Sequence, residues 1–412
     1  MKRAIVILLM LTGGGASAQV TLEECQEKAR ARYPLGKQQA LIEQARAFDL
    51  SNANKGYLPR IAASARASYQ SEVTRLPVTL PGANVEELSR DQYQAVVELQ
   101  QTLWDGGTIS ARKKMAGAAA AAELARVEVD LYAVRERVNH LFFGALLADE
   151  QLRYNKLLQE ELQSALEQVS AREAQGLARA DEVDAVRVEQ ARVKLQEIEI
   201  RAAGSAYREM LGLLTGEEIG ALAKPAADDG QRRGGRPELS LFDARDAQLA
   251  TGLETLGASG KPRVSLFVQG GYGNPGLNML KNEFSAYYSG GVRLSWDVSR
   301  LYTLREERRQ VAVQQEMEAS RRASFLLTLS MEEARGQKEV ERWREMMQGD
   351  EEIVALHERV AESAAARARE GAASVLEWMR EVNRLDQARQ ARALHEMQWL
   401  LAVYALRQVR GE

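Results

Sequence analysis

The sequence predicts a mainly α-helical chain carrying two pairs of membrane β-strands. Three observations predict it: proline-free stretches far longer than a globular helix, short alternating strands between them, and a repeat of the whole pattern in two halves. Ala, Glu, Arg, Leu and Gln dominate and charged residues make up 27% of the 412, a composition that favours long helices. The formal net charge of −3 gives no electrostatic case for nucleic acid.

The chain opens on Lys2 and Arg3, an apolar run from Ala4 to Leu11, and small residues ending in Ala16-Ser17-Ala18. That order is a secretory signal, residues 1–18, with a cleavage site after Ala18. The run is too short to cross a bilayer, and no other stretch approaches about 18 uninterrupted apolar residues. An exported chain of this kind is expected to enter a membrane only through strands. Cys25 is the single cysteine, so an internal disulfide framework is excluded. Leu22-Glu23-Glu24 lacks the small residues that a lipoprotein signal needs, which makes Cys25 a packed helix residue rather than a lipid anchor.

Thr21 followed by Glu24 is a capping-box pattern. The helix it opens is expected to run to about Lys55, with a break near Pro34, and to stop at Gly56-Tyr57-Leu58-Pro59. A strand follows at about 60–73, with Ile61, Ala63, Ala65, Ala67 and Tyr69 on one face. The next, at about 91–104, sets Tyr93, Ala95, Val97, Leu99 and Leu103 against Gln94, Glu98, Gln100 and Thr102, and ends at Trp104-Asp105-Gly106-Gly107. In the second half Ser259-Gly260-Lys261-Pro262 is the stop signal, and strands are expected at about 262–274 and 284–297. Ala286, Tyr288, Val292, Leu294 and Trp296 share a face of the last strand. Trp296-Asp297 mirrors Trp104-Asp105.

After each strand pair the sequence predicts one very long helix. From about Thr108 to Ala171 there is no proline, which gives roughly 95 Å at 1.5 Å per residue. The second runs from about Leu301 to Glu370. Each turns at a glycine, Gly176 or Gly371, and returns through a helix of about 35–40 residues. The expected organisation is a first repeat at 19–215, a linker at 216–236 and a second repeat at 237–412.

Alternating strands of this length fit a membrane barrel with apolar residues outward and polar residues inward, and Trp104, Trp296, Tyr93 and Tyr288 fit an interfacial girdle. Four strands are too few to close a barrel, and an open edge in lipid leaves backbone groups unpaired at several kcal/mol each. Three copies supply twelve strands. The alanine-rich helices suit lateral coiled-coil packing, with one face toward neighbouring helices and one toward water.

Several segments, in this order and spacing, resemble the TolC (outer membrane efflux protein) family. They are the mature start Thr21-Leu22-Glu23-Glu24-Cys25, Gly56-Tyr57-Leu58-Pro59 and Leu103-Trp104-Asp105-Gly106-Gly107. The glycine turns Gly176-Leu177 and Gly371, with Glu182-Val183 and Val375-Leu376 after them, belong with these, as does Leu211-Gly212-Leu213-Leu214-Thr215-Gly216. The resemblance implies a homotrimer with a twelve-stranded β-barrel in the outer membrane of a Gram-negative-type bacterium, joined to a periplasmic α-helical barrel. It implies docking, through a periplasmic adaptor (membrane fusion protein), to an inner-membrane transporter of RND, ABC or MFS type, which supplies the energy. Gly176, Leu177, Gly371, Ala372 and Val375 would then form the periplasmic tip that meets the adaptor. The family often carries acidic rings at the constriction. Glu377 fills one such position here, but Arg380 stands where an aspartate is common. A gate built from Asp181, Glu182 and Glu377 with Arg179 or Arg380 as partners is expected.

Catalytic chemistry is not legible. His140, His357 and His395 lack ligand spacing, and neither a Walker loop, a nucleophile elbow nor a zinc motif occurs. Gly270–Gly276 is a strand end and turn. No enzyme activity, cofactor or metal is expected. The competing readings are a periplasmic adaptor and a coiled-coil scaffold without a pore. An adaptor carries one helical hairpin between small β-domains, and two strand–helix repeats argue against it.

Overall fold

The computed structural model describes residues 19–74, 87–226, 234–278 and 281–412. The secretory signal, and residues 227–233 of the linker, lie outside them. The described elements are α1 (Leu22–Arg32), α2 (Gly36–Asn54), β1 (Arg60–Tyr69), β2 (Asp91–Trp104), α3 (Thr108–Tyr132), α4 (Val134–Ala174), α5 (Ala180–Thr215), α6 (Pro237–Ser259), β3 (Arg263–Asn274), β4 (Ser285–Ser295), α7 (Arg300–Arg369) and α8 (Val375–Arg410). They fall into two compact units, each drawing on both halves of the sequence.

The first unit, whose described residues are 19–38, 127–226, 234–237 and 324–412, is helical. Thr21 opens α1 with a full capping box: its hydroxyl accepts from Glu24 N at 3.3 Å, and the Glu24 carboxylate accepts from Thr21 N at 3.2 Å. Tyr33 ends the helix in an extended conformation, φ −57° and ψ 130°, as a residue before proline must. Val20 then pairs in parallel with Leu222, tying the chain's start to the segment after α5. One core cluster joins Leu22, Cys25 and Ala29 of α1 to Val138, Phe142 and Phe143 of α4, Leu211 of α5, and Leu400 and Tyr404 of α8. Cys25 is fully buried there, and burial pushes its thiol pKa up to about 11, so it is an inert apolar residue. A second cluster links α4 and α5 to α7 and α8 through Leu162, Val169, Val186, Ala364, Val375 and Trp378.

The first long helix differs from its expected single span. It is interrupted at Ala133, which keeps helical φ and ψ (−64°, −20°) and still donates to Val129 O at 3.2 Å. With neither a proline nor a lost donor at that residue, the interruption lasts one residue and the helix axis resumes at Val134.

Asp386 of α8 is poorly accommodated in this unit. It is buried, and its Oδ1 has no hydrogen-bond partner among the described residues. Burial raises its pKa, opposed by Gln390 and the charge of Arg389. The neighbouring Glu161 of α4 is raised for the same reason, although Arg389 also reaches it at 3.6 Å and Glu358 of α7 at 3.1 Å. A carboxyl whose pKa is higher folded than unfolded binds more protons in the folded state. It therefore penalises the fold as pH rises above the ordinary carboxylate value of about 4. Asp386→Asn is expected to melt higher than the parent at about pH 8, with the gap closing as pH falls toward about 4. Thermal melts of the detergent-solubilised protein across that range check it, and a gap independent of pH would refute it.

The second unit, whose described residues are 39–74, 87–126, 238–278 and 281–323, holds the strands. Asp105 turns β2 into α3: its carboxylate accepts from the backbone N–H groups of Gly107 and Ile109. Asp297 makes the equivalent turn after β4, accepting from Ser299 N at 3.1 Å. The repeated Trp-Asp pair thus marks a helix start in each half. Among the helices, Glu318 of α7 is buried between Arg245 of α6 (3.2 Å) and Arg321 (3.0 Å).

Candidate functional site

Both hairpin tips lie in the helical unit and are built alike. α4 ends in a Schellman motif: Leu177 N donates to Arg172 O (2.8 Å) and Gly176 N to Glu173 O (2.8 Å). α7 repeats it, with Ala372 N donating to Arg367 O (2.8 Å) and Gly371 N to Ala368 O (3.2 Å). Gly176 (φ 72°) and Gly371 (φ 75°) occupy the left-handed position in each, where a Cβ costs about 1–2 kcal/mol. Neither is there for lack of room: a Cβ on Gly176 would meet nothing within 4 Å, and one on Gly371 only the Arg172 guanidinium at 3.7 Å. The return helices start differently. Ser374 caps α8 by accepting from Glu377 N at 3.1 Å, whereas Arg179 at the same place before α5 makes no side-chain cap. Leu177 and Ala372 are exposed, while Val375 is buried in the cluster beneath the tips.

The charged residues of the tips pair selectively. Arg179 contacts Asp181 at 2.7 Å, both well exposed. Glu377 pairs with Arg367 at 3.3 Å rather than with Arg380, which reaches only the Leu376 carbonyl at 3.4 Å. Glu182 lies half-buried in the first turn of α5. Arg172, on the α4 side, crosses to the other hairpin and donates to Ala368 O at 3.1 Å. Sequence reading passed over Arg172 and Arg367. The signal was present: setting Gly176 on Gly371 also sets Arg172 on Arg367, each four residues before the glycine.

In the strand unit the four strands form one antiparallel sheet in the order β1-β2-β3-β4. Directly opposed residues share a face, so the register assigns every side chain. One face is apolar throughout its middle. It carries Ile61, Ala63 and Ala65, then Ala95, Val97 and Leu99, then Leu266 and Val268, then Tyr288, Val292 and Leu294, with the larger of them exposed. The other face is polar and internally hydrogen-bonded: Gln100 to Ser265 (2.9 Å), Gln269 to Ser289 (2.8 Å) and Arg293 to Glu98 (3.0 Å). A bulge between Thr102 and Trp104 brings Trp104 opposite Val264 and so onto the apolar face, a shift that strict alternation from Leu103 does not foresee.

Aromatic residues sit at both ends of the apolar face. Trp104 and Trp296 stand where the strands meet the helices, both about half exposed, and Trp296 Nε1 donates to Gly260 O at 3.1 Å. At the far end Phe284 stacks between Tyr93 (6.3 Å) and Tyr272 (5.7 Å). Tyr288 lies farther in, opposite Gly270, and at 85% is the most exposed large hydrophobic side chain among the described residues. Phe284 and Tyr272 were not singled out from sequence, because their meeting depends on the register of β2, β3 and β4. The strand from Tyr93 to Trp104 is about 35 Å long at about 3.3 Å per residue, hence about 27 Å high at a tilt near 40°.

Among the described residues no cluster of three or more His, Cys, Asp or Glu could hold a metal. His395 is engaged structurally, with Nδ1 2.6 Å from Asp350 and its ring against Trp343. No helix is long and apolar enough to cross a membrane among the described residues.

Residues 26–217 match the sequence profile described as outer membrane efflux protein. No curated protein sequence matches the chain. Solved structures share its fold. The Campylobacter jejuni CmeC outer membrane channel superposes with a TM-score of 0.66 at 15% identity, over 95% of this chain and 85% of that one. The outer membrane protein VceC from Vibrio cholerae gives 0.67 at 16% identity, over 95% and 96%. The open state of the Neisseria gonorrhoeae MtrE outer membrane channel gives 0.67 at 14%, over 95% and 88%. The outer membrane efflux protein profile thus covers the first hairpin and strand pair, and the fold is shared with these solved structures over nearly all of the chain's length.

Proposed function

We propose that three copies of this chain close a twelve-stranded barrel in the outer membrane and that the assembly is the exit duct of a tripartite efflux or type I secretion system. In this reading it conducts substrates passively, handed over by an inner-membrane transporter and a periplasmic adaptor. The observation that carries it is the sheet: four strands, open at both edges, with one exposed apolar face and one hydrogen-bonded polar face. A water-soluble sheet does not keep such a face bare, and in lipid the outer edges of β1 and β4 each leave backbone groups costing several kcal/mol apiece. Pairing β4 of one copy with β1 of the next removes every edge, and twelve is an allowed even number. The apolar face then meets lipid, with Trp104 and Trp296 at one interface and Tyr93 with its Phe284 stack at the other. Tyr288 faces the acyl region or its border. The linker and its two flanking repeats, 19–215 and 237–412, give each copy two hairpins, hence six tips per trimer.

The tips are the adaptor contact in this reading. Gly176, Leu177, Gly371 and Ala372 present backbone and small or apolar surface beyond the last helical turns, while Val375 anchors them to the core below. A gate would draw on Asp181, Glu182 and Glu377. Within one chain Arg179 and Arg367 already hold two of these, which leaves Arg380 free to reach a carboxylate of a neighbouring copy. Opening would then exchange that contact for one made by the adaptor.

Detergent extraction and planar-bilayer recording test the proposal together. A trimer that forms discrete conductance steps supports it; a monomer that stays soluble without detergent, or a trimer without conductance, defeats it in favour of an adaptor or scaffold. Arg380→Ser is expected to raise single-channel conductance at least about twofold if Arg380 latches the tip, since the contact is a charge-assisted hydrogen bond repeated in each copy. Unchanged conductance would remove Arg380 from the gate and leave the channel reading standing.

A further inference from the structure

The near-neutral composition hides an uneven distribution. On the polar face of the sheet the strands bear Arg60, Arg66, Arg263 and Arg293 against one carboxylate, Glu98. The register puts all five there, and the strands' other acid, Asp91, pairs opposite Tyr69 on the opposite face. Glu98 is already neutralised by Arg293 at 3.0 Å, and Arg293 also lies over the Phe267 ring at 4.6 Å. Arg60, Arg66 and Arg263 are exposed and make no ion pair among the described residues. The face therefore carries a net charge of +3 per chain, from four arginines and one glutamate.

We infer that the lumen lined by this face selects anions, so that the cargo class it favours is negatively charged or neutral. The inference rests on the channel reading and deepens it. Twelve strands about 4.8 Å apart, tilted by about 40°, give a backbone radius of about 12 Å. Arginine side chains extend several Å into that space. The Debye length is about 10 Å at 0.1 M salt, so the field of nine net positive charges fills the lumen and enriches counter-ions. At the hairpin tips Asp181 is held by Arg179 and Glu377 by Arg367 within each chain, and the charge of Glu182 is matched by that of Arg380, so these residues add no net negative charge. Arg60, Arg263 and Arg293 also lie toward the strand ends that lead into helices, so the positive belt is concentrated there rather than spread along the face.

The reversal potential of the purified trimer in a planar bilayer, under a KCl gradient centred near 0.1 M, reads the selectivity directly. The expected chloride-to-potassium permeability ratio is roughly three to ten, falling toward about one near 1 M KCl, where the Debye length is about 3 Å. Arg60→Ser/Arg66→Ser/Arg263→Ser is expected to bring the ratio near 0.1 M to about one. Should that triple variant not assemble, Arg66→Glu alone, at an exposed site, is expected to lower the ratio measurably. A parent ratio at or below one, or a ratio that neither variant moves, overturns the inference and leaves the channel reading intact. A preparation that forms no pore overturns both.

Discussion

Val97→Arg is expected to abolish the assembled trimer. Val97 is central in β2, opposite Ala63 on one side and Gly270 on the other, and its side chain is exposed on the apolar face. In the proposed barrel that face meets acyl chains, where an arginine near the midplane costs about 2–4 kcal/mol. Three copies bring the total to roughly 6–12 kcal/mol per trimer, comparable with the whole stability of an ordinary domain. Snorkelling gives little relief so far from either aromatic end. The neighbouring Val96→Arg is the control. Val96 pairs with Ser64 and Gly271 on the polar face, so its arginine enters water and assembly should survive. Heat-modifiable migration on gels and size-exclusion in detergent distinguish the two. Equal tolerance of both substitutions would mean that the apolar face does not meet lipid.

Much of this pattern is readable from residues alone because strands and helices leave different periods. Val97 and Val96 are the same residue type, yet position parity puts one among Tyr93, Ala95 and Leu99 and the other among Gln94 and Glu98. The hairpin turns were equally legible, since Gly176 and Gly371 must take a left-handed conformation that other residues resist. What stayed hidden depends on contacts between distant segments. The bulge that reorients Trp104 is set by its pairing with Val264, and nothing in Thr102-Leu103-Trp104 announces it. Arg367 rather than Arg380 holds Glu377 because the end of α7 folds back beside the start of α8, a consequence of the turn and not of the composition. Asp386 looks like any helix-surface acid in sequence, and only the packing of α8 buries it. The positive face of the sheet needed all three strand pairings before its five charges could be assigned to one side. Completion of the sheet by sister copies is a different kind of inference, forced by the energetics of bare edges in lipid rather than by any residue.

Phe142→Ala is expected to destabilise the helical unit by about 3–5 kcal/mol per chain, as loss of a fully buried phenylalanine does. Phe142 has no exposed surface, and its ring meets Phe143 edge-on at 5.9 Å and 82°. Phe143 in turn lies 5.6 Å from Tyr404, whose hydroxyl donates to Glu23 at 3.3 Å. A cavity at Phe142 thus loosens four segments at once: the capped first helix, the first hairpin, the segment bridging Val20 to Leu222, and the last helix. These come from both halves of the sequence, so the damage should spread to the whole unit rather than fray one end. Phe142→Leu keeps most of the volume and should cost no more than about half as much. Thermal melting followed by far-ultraviolet circular dichroism is the measurement. A shift for Phe142→Ala no larger than that for Phe142→Leu would show that this cluster is not the keystone of the helical unit. Because the strands belong to a separate compact unit, the sheet should outlast the helices in such a variant, with heat-modifiable barrel migration retained after helical signal is lost.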